Sequence, residues 1–437
     1  MANQADLEEL DSSASETEQT QNQQTQNKKK KKKNKKNKKP AVASGSVQVG
    51  SDGSMAITQD SPSSFDAKLK QMFENLAKQG LFDANEPVDD KNVLKPTDEY
   101  KFWKTQPVPK SDEVIEKDGA IQAAVPVDQV RQTPYDLNAQ FEWSIVDVND
   151  ENQLKETYEL LTENYVEDKD STFRFDYSRE FLKWAIQPPG WKKQWHLGVR
   201  VKQSKKLVAF ISAIPGDLMI HDITQKIVEI NFLCIHKKLR SKRLAPVLIK
   251  EITRLVNLEG IFQAAYTAGR VIPKPVAQCR YWHRSLNFKK LLDIGFSYVP
   301  RDQTVAGMVK KLKLPATAQI PGTRPMQEKD VPQVHSLVSE FLSTRSELYP
   351  VFTQEEVRHW FIPIKDVVYS YVVEDPETSG KITDFYSFYN LPSSILKHEK
   401  HNHLKAAYLF YYSPQGFGKN TARTTEIIND ALIQAVA

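Results

Sequence analysis

The segment from Lys226 to Thr267 constrains the fold more than any other part of the chain. An apolar run, Lys226–Ile235, reads as a strand. A basic turn follows, then a helix from about Leu244 to Leu258 with Leu248, Ile252, Leu255 and Val256 on one face. Pro246 stands in the first turn of that helix, where a missing N–H costs little, and Gly260 stops it. A second apolar strand, Phe262–Thr267, comes next. Strand, helix and strand at this spacing make a right-handed crossover onto a parallel strand, so the chain is of the α/β class.

Two further strands, Trp195–Val201 and Leu207–Ile214, precede this segment and form an antiparallel meander with it. Helices are predicted over Leu154–Tyr165 and Phe181–Ile186. The last third repeats the order with different residues. Helices Val331–Leu342 and Thr353–Phe361 lead to strands Val367–Val373, Ile382–Leu391 and Leu404–Tyr412, then to a helix from about Thr424 to Val436. The same unit occurs twice, and the second copy is expected to be incomplete, one strand short. The expected boundaries are 1–64 for a tail, 65–312 for the first unit and 313–437 for the second.

The tail decides how charge is read. Ten lysines lie between Lys28 and Lys39, preceded by Asp6, Glu8, Glu9, Asp11, Glu16 and Glu18. Without both sets, 50 of the 60 basic residues and 49 of the 55 acidic ones remain. The body is near neutral, and any anionic partner, a ribosome or an anionic membrane surface, meets mainly the tail. Residues 1 to about 64 hold too little apolar side chain to offset the entropy of ordering, so a disordered tail is expected. A short helix, Ala67–Gln79, and a proline-rich connector to Pro134 follow. Two cysteines, Cys234 and Cys279, and no signal peptide or 18-residue apolar run suggest a reduced, cytoplasmic protein, and a monomer is expected.

The chemistry starts at the basic turn. N–H groups of Ser241 to Ala245 are expected to face solvent at the positive end of a helix, ready for phosphate. Lys237, Lys238, Arg240, Lys242 and Arg243 add mobile charge around them. The loop Arg240-Ser-Lys-Arg-Leu-Ala245 resembles the R-x-x-G-x-[GA] loop on which GNAT-type acyltransferases hold coenzyme A. Arg243 stands where their glycine would. His398, His401 and His403 lack the cysteine or carboxylate that would complete a metal set, so no metal is expected.

Six longer motifs narrow the resemblance. They are Lys101-Phe-Trp-Lys-Thr-Gln-Pro-Val-Pro109, Glu163-Asn-Tyr-Val-Glu-Asp168, Phe173-Arg-Phe-Asp-Tyr177, the run Asn231 to Arg243, Tyr266-Thr-Ala-Gly269 and Cys279-Arg-Tyr-Trp-His-Arg-Ser285. From about Tyr100 onward the chain resembles the N-myristoyltransferase family. The resemblance implies two GNAT-like acyltransferase units in pseudo-symmetric arrangement. It implies direct transfer of a myristoyl group from myristoyl-CoA, a substrate and not a resident cofactor, to proteins with an N-terminal glycine. Catalysis is expected of the backbone N–H groups of Phe232 and Leu233, as an oxyanion hole, with Asn231 and Thr267. Lys101, Phe102 and Trp103, then Phe232 to Ile235 (with Cys234) and Arg240, Ser241, Lys242, Arg243, Leu244 and Ala245, are expected on myristoyl-CoA. Tyr165, Asp168, Phe173, Phe175, Gly269, Tyr281 and His283 are expected on the peptide.

The free N–H groups at Phe232 and Leu233 require a break in the strand ladder, a bulge. The resemblance also implies a proton acceptor: in the family the chain's own C-terminal carboxylate, reached through a Gly-rich and then Tyr- and Trp-rich segment. That segment is absent from these 437 residues, so slow transfer is expected of this polypeptide. An acyl-CoA-binding protein without catalysis and a nucleic-acid-associated protein stay open as alternatives.

Overall fold

The computed structural model describes residues 102–110, 113–115, 117, 119–168, 170–240, 242–268, 275–416 and 421–436. The predicted tail and the helix Ala67–Gln79 lie outside the described residues. The chain divides into two compact units. Of the first, which spans Met1–Glu113 and Arg270–Pro275, the described part is a short stretch with one helical turn, Trp103–Thr105, closed by the Thr105 hydroxyl on the Phe102 carbonyl at 2.7 Å.

The second unit, Val114–Gly269 with Val276–Ala437, holds the elements of both repeats. Its first half runs β1 (Phe141–Ile145), α1 (Glu151–Asn164), β2 (Phe173–Phe175), α2 (Arg179–Ile186), β3 (His196–Val201), β4 (Leu207–Ile220), β5 (Ile223–Ile235), α3 (Leu244–Asn257) and β6 (Ala264–Tyr266). Two short helices, α4 (Phe288–Asp293) and α5 (Val305–Leu312), lead to the second half. That half runs β7 (Thr323–Pro325), α6 (Val331–Arg345), β8 (Leu348–Pro350), α7 (Gln354–Phe361), β9 (Val368–Glu374), β10 (Ile382–Asn390), β11 (Ser393–Ile395), β12 (His403–Leu404), β13 (Ala407–Ser413) and α8 (Thr421–Val436).

The sheet orders are β1-β3-β4-β5-β6 and β7-β9-β10-β13. Each half therefore begins with a strand, β1 or β7, that the sequence pattern did not predict. The expected crossover is present: β6 pairs parallel to β5, with Glu229 opposite Ala265. The helices start where side chains can satisfy their first N–H groups. Asp150 accepts from Asn152 and Gln153 at 2.9 and 3.0 Å, and Thr353 forms a capping box with Glu356. Helix α3 ends before Gly260, whose φ of +77° suits glycine.

The halves exchange strands reciprocally. The short strand after α1, β2, pairs with β11 of the second half, and the short strand after α6, β8, pairs with the far end of β4. Where α2 meets α7, Trp184 Nε1 donates to the His359 carbonyl at 3.0 Å, and the His359 ring bonds the Trp184 carbonyl at 2.8 Å. One core cluster accordingly mixes Leu154, Leu182 and Phe232 with Val367 and Val368. A second, with Leu197, Val228, Leu248 and Ile252, lies under α3. Burial of so many aliphatic and aromatic side chains holds the sheets and their helices together.

Candidate active site

The ladder between β4 and β5 breaks where the sequence required it. Phe210 pairs with Cys234 and Ser212 with Asn231, so Phe232 and Leu233 together face Ile211. This is a β-bulge. Phe232 adopts φ +56°, a left-handed conformation rare for a bulky residue and typical of functional strain. Packing holds it there: the Phe232 ring lies 5.1 Å from that of Tyr177 and 6.1 Å from that of Tyr165. The Ser212 hydroxyl fastens the Asn231 carbonyl at 3.1 Å. On the other side, the β5–β6 pairing ends at Ile230 and Tyr266, so the backbone from Asn231 onward leaves that ladder. Burial pushes the Tyr165 phenol up to about 12, opposed by a hydrogen bond with the Phe232 backbone. The neutral Tyr165 hydroxyl thus already sits on the donor proposed to receive a substrate oxygen.

Asn231 and Glu229 share one face of β5, and the Asn231 side-chain amide donates to Glu229 at 3.3 Å. Thr267 is exposed and directly follows β6, and the register carries it towards Asn231. The second half supplies an aromatic wall. Tyr408 stacks on Tyr389 at 5.3 Å and meets Tyr281 edge-on at 5.9 Å, while Tyr389 and Tyr411 both feel the Glu229 charge. Cys234 is buried, its thiol pushed up to about 12 by burial, with Sγ 3.7 Å from the Leu160 carbonyl.

The basic turn explains its own irregularity. Arg243, in the position expected for glycine, adopts φ +61° as the residue before α3. Leu244, Ala245 and Pro246 form the first turn, which the Arg243 side chain does not cap. The surrounding charge is less mobile than the sequence suggested. Arg240 hydrogen-bonds the Asn164 carbonyl at the end of α1, and Lys237 pairs with Glu167. Burial works against the Glu167 charge, but its hydrogen bonds to Lys237 and Arg174 outweigh that and hold it down to about 2. Lys238 and Lys242 remain exposed. Ser241, Gly269 and Lys101 lie outside the described residues, and Phe102 and Trp103 belong to the other compact unit.

The loop expected to close on a peptide is built as a tight turn. Asp168 accepts from the N–H groups of Thr172 and Phe173, both at 2.7 Å, which leads the chain into β2. There Phe173 meets Phe296 at 5.7 Å, and Phe296 meets the exposed His283 at 5.4 Å. Phe175 packs on Tyr177 at 5.8 Å. Sequence reasoning missed Glu229, Tyr177, Tyr389 and Tyr408. The three histidines divide between two acids: His398 and His401 face Asp293 at 3.8 and 3.2 Å, and His403 faces Asp176 at 3.6 Å.

A bulge at Phe232–Leu233, on the strand that leads through a basic turn to a helix start, with stacked tyrosines from the second half, suits acyl transfer from a phosphate-bearing thioester. The family model for the N-terminal domain of myristoyl-CoA:protein N-myristoyltransferase matches residues 120–279, and that for its C-terminal domain matches residues 293–437. The chain belongs to this N-myristoyltransferase family. It is 48% identical to the glycylpeptide N-tetradecanoyltransferase of Schizosaccharomyces pombe over 393 residues, 86% of this chain and 83% of the relative. It is 56% identical to glycylpeptide N-tetradecanoyltransferase 2 of Bos taurus over 312 residues, 71% of this chain and 62% of the relative. The crystal structure of Saccharomyces cerevisiae N-myristoyltransferase with bound myristoyl-CoA superposes with a TM-score of 0.74 at 46% identity, covering 78% of this chain and 84% of that one. An N-myristoyltransferase is an acyltransferase, and the α/β fold with its paired units is that of the family.

Proposed function

We propose that this N-myristoyltransferase moves a myristoyl group from myristoyl-CoA directly to the N-terminal glycine amine of substrate proteins. The bulge at Phe232–Leu233 is the observation that carries this reading. Its N–H groups receive the thioester oxygen as it becomes an oxyanion, an arrangement in which one donor is typically worth roughly 3–4 kcal/mol. The phosphates of coenzyme A rest on the start of α3, among Lys238, Lys242 and Arg243. Asn231 and Thr267 orient the glycine, and Tyr281, His283, Phe173 and Phe175 flank the peptide that follows it. The amine attacks the carbonyl carbon, the tetrahedral adduct collapses, the C–S bond breaks, and coenzyme A leaves as the thiol. No acyl-enzyme is needed, and the neutral Cys234 thiol, turned into the core, is not suited to form one.

The test is transfer to a glycine-leading peptide, followed by mass spectrometry, with acyl donors of graded length. An apolar groove gains about 0.8 kcal/mol per buried CH₂, so myristoyl-CoA should bind about 3 kcal/mol more tightly than decanoyl-CoA, roughly two hundredfold. Equal affinity for both would remove the lipid reading. Binding without transfer would favour a non-catalytic acyl-CoA-binding protein. We also propose that Lys28–Lys39 docks the protein on ribosomes or anionic membranes from the cytoplasm. Deleting residues 1–40 should abolish salt-sensitive docking and leave turnover unchanged.

A further inference from the structure

The turn that follows β5 is tied by three hydrogen bonds to the end of α1 and the loop after it. The turn is short and helical, Lys237–Leu239, and opens the basic stretch before α3. The Lys237 N–H donates to the Asn164 side-chain oxygen at 3.0 Å, and the Arg240 guanidinium donates to the Asn164 carbonyl. Asn164 is the last residue of α1, is buried, and donates its own amide to the Leu160 carbonyl at 2.9 Å. The third bond runs from the Lys237 ammonium to Glu167, 70 residues away in sequence.

Glu167 stands in the first arm of a hairpin. The Phe175 N–H donates to the Val166 carbonyl at 3.3 Å, the Asp168 N–H donates to the Phe173 carbonyl at 3.1 Å, and between them Glu167 bridges Arg174. Glu167 and Arg174 also meet through their side chains, with Arg174 Nε 2.7 Å from Glu167 Oε1, and Arg174 donates onward to the Thr162 carbonyl at 2.9 Å. The second arm is β2, whose other edge pairs with β11. The hairpin is thus closed without Lys237: its arms are bonded to each other, and Arg174 already neutralises Glu167. What the lysine adds is a fixed distance between the hairpin and the turn. On its other side the hairpin root is held to the bulge, where Tyr165 packs on the Phe232 ring at 6.1 Å and bonds the Phe232 backbone.

We infer that Glu167 and Lys237 are positioning residues for acyl transfer: their ion pair sets the peptide-flanking hairpin against the strand and turn that receive myristoyl-CoA. This rests on the transfer reaction proposed above. Neither side chain is assigned to the reacting atoms. Together they fix where Phe173 and Phe175 stand relative to the donors of Phe232 and Leu233, and so how the glycine of a bound peptide meets the thioester. Small misplacements of that kind are costly to an acyl transfer.

The experiment compares the full chain with Lys237→Met, Lys237→Arg, Glu167→Gln and the double variant Lys237→Met with Glu167→Gln. Calorimetry gives the affinity for myristoyl-CoA and, with a non-hydrolysable myristoyl-CoA analogue bound, the affinity for a glycine-leading peptide. Lys237→Met should weaken peptide binding about three- to tenfold and leave myristoyl-CoA affinity within about twofold of wild type. Lys237→Arg keeps the cation and should bind the peptide as wild type does. Glu167→Gln should weaken peptide binding at least as much as Lys237→Met. The double variant should be no weaker than Glu167→Gln alone, because both substitutions remove one bond. Loss of myristoyl-CoA affinity in Lys237→Met with peptide binding intact would make Lys237 a phosphate ligand and overturn the assignment. Unchanged affinity for both ligands, loss of both together, or additive effects of the two substitutions would also overturn it, while leaving the transfer reaction standing. A wild-type chain that bound no myristoyl-CoA would instead overturn the proposed function itself.

Discussion

Replacing Phe232 separates the two things that residue does, packing a ring and holding a left-handed backbone. Its side chain is 6% exposed, within the Tyr165–Tyr177 cluster. Truncation to alanine should cost about 3–5 kcal/mol of stability. Alanine still carries a Cβ and keeps the left-handed cost, which is on the order of 1–2 kcal/mol. Glycine loses the same ring but escapes that cost. In a regular strand glycine is about 0.5–1 kcal/mol worse than alanine. At φ +56° the order should invert, leaving Phe232→Gly more stable than Phe232→Ala by about 1 kcal/mol. Urea titrations of the two variants with one spectroscopic probe read this as a higher midpoint for glycine. An alanine variant as stable as the glycine one, or more so, would mean that the strand is regular there and that its N–H groups are not turned into the cleft.

Two further outcomes follow from the charges. Lys242→Glu should weaken myristoyl-CoA binding by about tenfold at low salt, with the difference shrinking as salt screens the exposed site, as calorimetry can follow. Arg240→Glu should in addition lower stability, because its guanidinium serves the end of α1. Glu229→Gln should melt higher than wild type at pH 7. A carboxyl raised by folding holds its proton more tightly in the folded chain. Its stabilising contribution is complete below the unfolded pKa and is lost as pH rises through the folded one. The two melting temperatures should therefore converge near pH 4, and a gap independent of pH would mean that folding does not raise the Glu229 carboxyl.

Much of the fold was legible because its long elements carry their own signals. The apolar run of β5, Pro246 and Gly260 mark strand, helix and stop without help from tertiary structure. The strands β2, β7, β8 and β11 are three residues each. They exist through pairing with distant partners and have no periodicity to read. Arg243 looked like a mismatch with a glycine position and takes up a left-handed conformation of the kind glycine favours, which residue identity alone conceals. Lys237 and Arg240 were expected to be mobile, and only the end of α1 and Glu167 reveal what ties them. Tyr389 and Tyr408 reach the cleft from more than 150 residues beyond Asn231. Glu229 was in plain view, two residues before Asn231. It was missed because alternation was read for apolar residues and not for the charge among them.

The central claim is that the amides of Phe232 and Leu233 receive the oxygen of the reacting thioester. The most direct measurement is a crystal structure of this chain with a non-hydrolysable myristoyl-CoA analogue that keeps the carbonyl. The claim predicts that oxygen within about 2.7–3.1 Å of both backbone nitrogens, with Tyr165 displaced from Phe232 and the bulge intact. A carbonyl bound elsewhere, or a β5 strand straightened so that both amides rejoin the ladder with β4, would contradict it.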